Sequence, residues 1–169
     1  MGRRLHKSVL LIAATLLATS TAQAAEDVVK TQRISMELAN AIATQAVEAC
    51  REKGYQVTAT VVDRGGTPQV VKRDVYAPAV SVRIARQKAY TAAMFSVSTG
   101  EMVEGRSEAA AQLNHVDEVL VLRGGLPVTV QQKVVGGVGV SGAPDSQIDE
   151  DCAQAGLDHV SERLQFGGF

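Results

Sequence analysis

The sequence predicts an α+β fold: one mostly antiparallel five-stranded sheet flanked by helices, in the order α-β-β-α-α-β-β-β-α. Three observations predict it. Two pairs of strand-like segments are each joined by a short turn, and hairpins require antiparallel pairing. Helical apolar spacing precedes the first hairpin, separates the two and follows the second. Setting aside a leader of 24 residues leaves 145 of the 169, which suits one domain burying roughly two-thirds of its extended-chain surface.

The elements follow in order. Ser35 is placed as an N-cap, with Glu37 in the first turn. Leu38, Ile42, Ala46 and Ala49 then recur at near-helical spacing until Gly54, a C′ residue. Val57, Ala59 and Val61 alternate with Thr58, Thr60 and Val62 as a strand, Arg64-Gly65-Gly66-Thr67 is turn chemistry, and Gln69 to Arg73 returns. Pro78 suits the first turn of a second helix, with Val80, Ile84, Lys88, Thr91 and Phe95 on one side. Ser98-Thr99-Gly100-Glu101 matches a capping box and predicts a third helix running to about Leu113. Val119 to Leu122 reads as a short strand, broken by Gly124-Gly125. Pro127 to Val130 and Lys133 to Val140 form a second hairpin around Gln131-Gln132, a turn without the usual Gly or Asn. A last helix starts near Asp145 or Ser146, burying Ala153, Leu157, Val160 and Leu164. Asp149, Glu150 and Asp151 fall in its first turn, where carboxylates complement the helix dipole; the acidic run is therefore read as structural.

The leader has the anatomy of an export signal. Gly2-Arg3-Arg4-Leu5-His6-Lys7 is basic, Ser8 to Ser20 is mostly apolar, and Ala22-Gln23-Ala24 is a small-x-small cleavage site. Residues 1–24 are expected to be removed, leaving a domain over 25–169 that begins at Ala25 and is periplasmic or secreted. The apolar run is shorter than the ~20 residues of a membrane span, so no integral membrane segment is expected after cleavage. Cleavage takes three of the 17 basic residues and none of the 18 acidic ones, moving the net charge from −1 to −4. That balance argues against nucleic acid, which calls for clustered positive charge.

Export permits a disulfide, and Cys50 and Cys152 allow one intramolecular pairing. Two buried thiols fit the sequence as well as a bridge does. The bridge is the expectation if the first and last helices pack antiparallel on one sheet face, because Cys50 lies near the end of one and Cys152 near the start of the other. Small neighbours (Ala46, Ala49, Ala153 and Gly156) would allow the close approach.

Gly137-Val138-Gly139-Val140-Ser141-Gly142 spells G-x-G-x-x-G before a helix, but no strand follows that helix, so the dinucleotide reading fails. Glycines on one strand face instead let a helix, another backbone or a flat ligand approach closely. Ser141 lacks the nucleophile-elbow pattern. His159 reads as a surface residue. His115, in Leu113-Asn114-His115-Val116-Asp117, is a loop histidine that could also serve as an axial metal ligand. The second helix carries Arg83, Arg86 and Lys88 among Ala85, Ala89, Ala92, Ala93 and Met94. Such a helix is either a solvated basic face or a platform for a flat apolar body with carboxylates.

Taken together, several segments resemble the GlcG/HbpS family, the heme-degrading (DUF336) domain. They are G-Y-Q-V-T-A-T-V-V-D-R-G-G at 54–66, V-K-R-D at 71–74, R-Q-K-A-Y-T-A-A-M-F at 86–95, G-G-L-P-V at 124–128, V-V-G-G-V-G-V-S-G-A-P at 134–144 and D-E-D-C-A-Q-A-G-L at 149–157. Their order and spacing cover nearly all of the mature chain. The resemblance implies a profilin-like α+β fold and homo-oligomers that bind heme or, less commonly, a corrinoid, with slow heme degradation or redox sensing in some relatives. It also implies a Thr at the heme iron, for which Thr91 and Thr99 are the candidates. Relatives often read Pro-Thr where this chain has Ser98-Thr99. Lys88 matches the family Lys of K-A-x-T-A.

The expectation is an exported, homo-oligomeric heme-binding protein. Arg83 or Lys88 would pair with propionates, and Thr91, Thr99 or His115 would approach the iron. The 4% aromatic content is a mild objection, since heme pockets often use aromatic walls. The rivals are an enzyme or binder acting on a carboxylate, with Lys88 as charge partner and Asp63 or Arg73 nearby, and an accessory protein acting through its surface.

Overall fold

Ser35 begins the first helix: its hydroxyl accepts the Leu38 N–H at 3.2 Å, and α1 (Met36–Glu52) follows. The computed structural model describes residues 31–105 and 107–166; the expected leader and its cleavage site lie outside them. Gly54, at φ +83°, ends α1 in a conformation that favours glycine, and the Tyr55 N–H returns to the Cys50 carbonyl at 2.9 Å. Strands β1 (Thr58–Asp63) and β2 (Pro68–Arg73) pair antiparallel. Their turn is organised by Asp63, whose Oδ1 accepts the N–H groups of Gly65 and Thr67 at 2.8 and 3.0 Å. Helix α2 (Ser81–Phe95) comes next.

One expectation holds and one fails in the following stretch. As expected, the chain is helical toward Leu113, over α3 (Thr99–Gly105) and α4 (Ser107–Leu113). Val119–Leu122 joins no sheet, so among the described residues the sheet has four strands rather than five. The reason is where its backbone bonds go. The Leu120 N–H donates to Thr91 Oγ1 at 2.8 Å and the Val121 N–H to Asn114 Oδ1 at 2.7 Å, so side chains replace a ladder. Val119 and Val121 pack with Met102 and Ala110 in a small satellite core that includes Tyr90.

Strands β3 (Gly125–Val130) and β4 (Lys133–Ser141) form the second hairpin. Gln131 and Gln132 both take positive φ, 48° and 64°, the backbone a two-residue hairpin turn requires. Asp145 caps α5 (Ser146–His159), accepting the Gln147 N–H at 2.9 Å. A separate turn of helix, α6 (Ser161–Phe166), follows buried Val160.

The strand order is β2-β1-β4-β3, every neighbour antiparallel. One face carries α1 and α5 over a core that includes Ala59, Val61, Val128, Val138 and Val140. There Cys50 and Cys152 are bonded, with Cα atoms 5.5 Å apart, and Gly156 lets α5 approach the Ile42 carbonyl of α1. The other face carries α2. Added Cβ atoms at Gly137 and Gly139 would run into the carbonyl oxygens of Ala89 and Ala85, so the glycine strand is a seat for the α2 backbone. Among the described residues no helix is long and apolar enough to cross a membrane.

Candidate functional site

The α2 helix carries three of the candidate residues, Arg83, Lys88 and Thr91, and its geometry divides them. Lys88 points inward, toward the sheet, and is 1% exposed. Its Nζ donates to Asp149 Oδ2 and to the Val140 carbonyl, both at 2.9 Å. Gly124, at φ +116°, leaves the space: a Cβ there would lie 2.9 Å from Lys88 Nζ. Asp149 stands in the first turn of α5, where its other oxygen accepts the Ala143 N–H at 3.1 Å. Burial pushes the Lys88 ammonium below its ordinary range, opposed by the Asp149 charge. Burial likewise raises the Asp149 carboxyl, opposed by Lys88. The charged forms are favoured by each other and by the Val140 carbonyl and the Ala143 N–H beside them. Beside them Glu150 accepts the Gly124 N–H at 3.1 Å and pairs with Arg123 at 3.4 Å.

Thr91 and Thr99 are fully buried and their hydroxyls are engaged with backbone. Thr91 Oγ1 donates to the Gln87 carbonyl at 2.8 Å while accepting from Leu120. Thr99 Oγ1 accepts the Gly125 N–H at 2.9 Å and lies 3.3 Å from the Gly125 carbonyl. Lys88, Thr91 and Thr99 thus tie α2 and α3 to their surroundings. Asp63 and Arg73 do not join Lys88: Asp63 organises its turn, and Arg73 donates to the Ala77 carbonyl at 2.9 Å.

Arg83 and His115 behave differently, and both are exposed. Arg83 stands on the outer side of α2, one turn after Val80 and one turn before Arg86. Arg86 forms an ion pair with Glu118, which holds positive φ (69°). That pair ties the 114–118 turn, which carries His115, to α2 at Glu118. Val80 (51%) just before α2 and Val116 (53%) in the turn are also exposed. Arg83 and His115 are thus exposed, whereas Lys88 and Thr91 are committed to the fold.

The sequence reading missed Asp149 and Glu150 as partners of Lys88 and Gly124. One signal was available. A lysine surrounded by alanines on a helix packed against glycines has no route to water, and so requires a buried carboxylate.

A four-stranded antiparallel sheet with a helix seated on a glycine strand, and paired helices on the opposite face, defines a small α/β class with helices on both sides of one sheet. The family model for the haem degrading protein HbpS-like group matches residues 34–158, and this chain belongs to that family. An uncharacterized 15.0 kDa protein of Citrobacter freundii is 38% identical over 123 residues, 70% of this chain and 86% of that protein. The crystal structure of a double mutant of HbpS from Streptomyces reticuli superposes with a TM-score of 0.75 at 32% identity, covering 90% of this chain and 97% of the other. A crystal structure of a PduOC:heme complex superposes with a TM-score of 0.68 at 25% identity, covering 76% and 95%.

Proposed function

We propose that this protein is an exported heme-binding protein that takes the tetrapyrrole on the outer side of α2 and works as a homo-oligomer. The observation that carries the reading is the superposition on the PduOC:heme complex along most of the chain. The donor set fits the group. Arg83 would hold a propionate, His115 offers an imidazole for the iron, and Val80 and Val116 offer apolar contact for the macrocycle. When bound, heme would supply the redox-active iron on which degradation or redox sensing would depend. Lys88 is left out of ligand binding because Asp149 occupies its charge. The leader anatomy supports delivery to the periplasm or the medium.

Titration of the purified apo-protein with hemin tests this. The expected result is a sharp Soret band saturating at one equivalent per chain. Arg83→Ala should weaken binding about ten- to a hundredfold, the loss of a charge-assisted contact. His115→Ala should move the Soret maximum. Broad, non-saturating absorption would overturn heme binding and favour a carboxylate binder. An unmoved maximum would remove His115 from the iron.

A further inference from the structure

A cleft of about 690 Å³ opens along the free side of β3, away from Arg83 and His115. Its walls are the end of α2 and start of α3 (Ser96, Glu101) on one side, and α5 and α6 (Asp158, Leu164) on the other. Its floor includes Pro127 and Thr129 of β3. The orientation of that strand's backbone follows from its register. The Val140 N–H donates to the Gly124 carbonyl, and Gly125 pairs opposite Gly139. Gly124, Leu126 and Val128 therefore turn their backbone groups toward β4, and Gly125, Pro127 and Thr129 turn theirs away. Thr99 closes the Gly125 end by bonding its N–H. Pro127 has no N–H to offer. What remains is an acceptor at Pro127, then a donor and an acceptor at Thr129, all facing the cleft.

We propose that this cleft binds an extended, basic peptide segment of a partner protein, which adds to β3 as a fifth strand. The backbone groups of Pro127 and Thr129 supply the pairing, and the closed Gly125 end fixes where it stops. Charge selects the occupant. Glu101 and Asp158 are both exposed, and no lysine or arginine is among the lining residues. Leu126, Leu157 and Leu164 add apolar contact for the alternate side chains. A second copy of this chain would bring the same two carboxylates against its own, and so fits the cleft less well than a basic segment.

Fluorescence anisotropy with a labelled six-residue peptide of alternating lysine and valine tests the proposal. Saturable binding is expected, with at least tenfold loss when glutamate replaces lysine. Backbone N-methylation of one alternate set of residues should abolish binding, and of the other set should leave it intact, because only one edge faces β3. Thr129→Pro removes the exposed donor and should abolish binding with the circular dichroism spectrum unchanged. The Glu101→Lys/Asp158→Lys protein should lose about tenfold for the lysine peptide and gain affinity for the glutamate one. Absence of saturable binding, or equal effects of both methylation patterns, would overturn it. So would a change of assembly mass in Thr129→Pro, which would make the occupant a second copy. Hemin binding of these variants should be unchanged, so failure here leaves the heme reading standing.

Discussion

Toward α1 and α5 the sheet presents Ala59, Val61, Val128, Val138 and Val140; toward α2 it presents Thr58, Thr60, Gly125, Gly137 and Gly139. The first face is held by apolar burial, roughly 1.5–3 kcal/mol per fully buried valine-sized side chain, and by a covalent cross-link. The second has little apolar area. It is held by backbone-to-backbone approach, a Thr58–Ser81 hydroxyl pair at 2.7 Å and the Lys88–Asp149 ion pair. The two faces should therefore fail differently. An apolar face loses stability in proportion to the volume removed. A face built on a buried charge pair fails when one partner goes, because the other is left uncompensated.

The largest expected effect follows from that difference. Lys88→Ala should destabilise by about 3–5 kcal/mol, and Asp149→Ala by a similar amount. Replacing both partners with methionine and leucine should recover most of the loss. Urea unfolding of the three proteins checks this, and a double replacement as unstable as either single one would break the contrast.

Next comes the bridge on the apolar face. Cys50→Ala/Cys152→Ala should cost about 2–4 kcal/mol, in line with a closed loop of 102 residues. Thiol titration of the unreduced, denatured wild type should find none free. Two thiols would show that this face stands on packing alone.

Gly139→Ala ranks third, at roughly 1–3 kcal/mol, since the added methyl meets the Ala85 carbonyl and lies 2.6 Å from the Ala89 nitrogen. Val138→Ala, the neighbouring position on the other face, should cost by cavity formation instead. Raising the volume back with Ile at 138 should be tolerated far better than any side chain at 139.

The smallest effect lies at the margin of the apolar face. Arg51 of α1 grips Asp74 with two bonds of 2.7 Å, and its hydrogen bonds hold the Asp74 carboxyl below its ordinary value of 3.8. A depressed carboxyl contributes stability that is complete above pH 3.8 and is lost as pH falls through the lower, folded value. Thermal melts of wild type and Asp74→Asn should therefore differ at pH 6 and converge under strong acid. A constant difference down to the lowest pH would mean that Arg51 holds Asp74 no more firmly than water does.

The parts legible in the sequence were those whose signals are local. Ser35, Gly54 and Asp145 each mark a helix end by a bond within four residues, and Pro68–Arg73 is returned to β1 by a turn that Asp63 builds itself. The bridge could be argued because helix ends can be placed once helices are. The failures share a cause. Leu120 leaves the sheet for a hydroxyl on α2, 29 residues earlier, and Lys88 finds its carboxylate 61 residues later. No spacing rule reaches that far. Among the candidate site residues, Lys88, Thr91 and Thr99 were chosen for their chemistry, and the structure uses that chemistry to hold elements together. Arg83 and His115 stay exposed, on two segments that the Arg86–Glu118 pair joins.

The strand order also sets a timetable. Each hairpin, β1 with β2 and β3 with β4, closes a short turn, an event on the order of 1–10 μs. The two central strands, β1 and β4, come from opposite ends of the domain, with Thr58 opposite Ser141. Their seam must wait until almost the whole chain is available, and so must the meeting of Lys88 with Asp149 and of Cys50 with Cys152. Until then each half exposes an additional bare strand edge, β1 or β4, beyond the outer edges of β2 and β3, that can pair with any other chain in the same condition. The protein is most vulnerable to aggregation in the interval between two finished hairpins and one finished sheet.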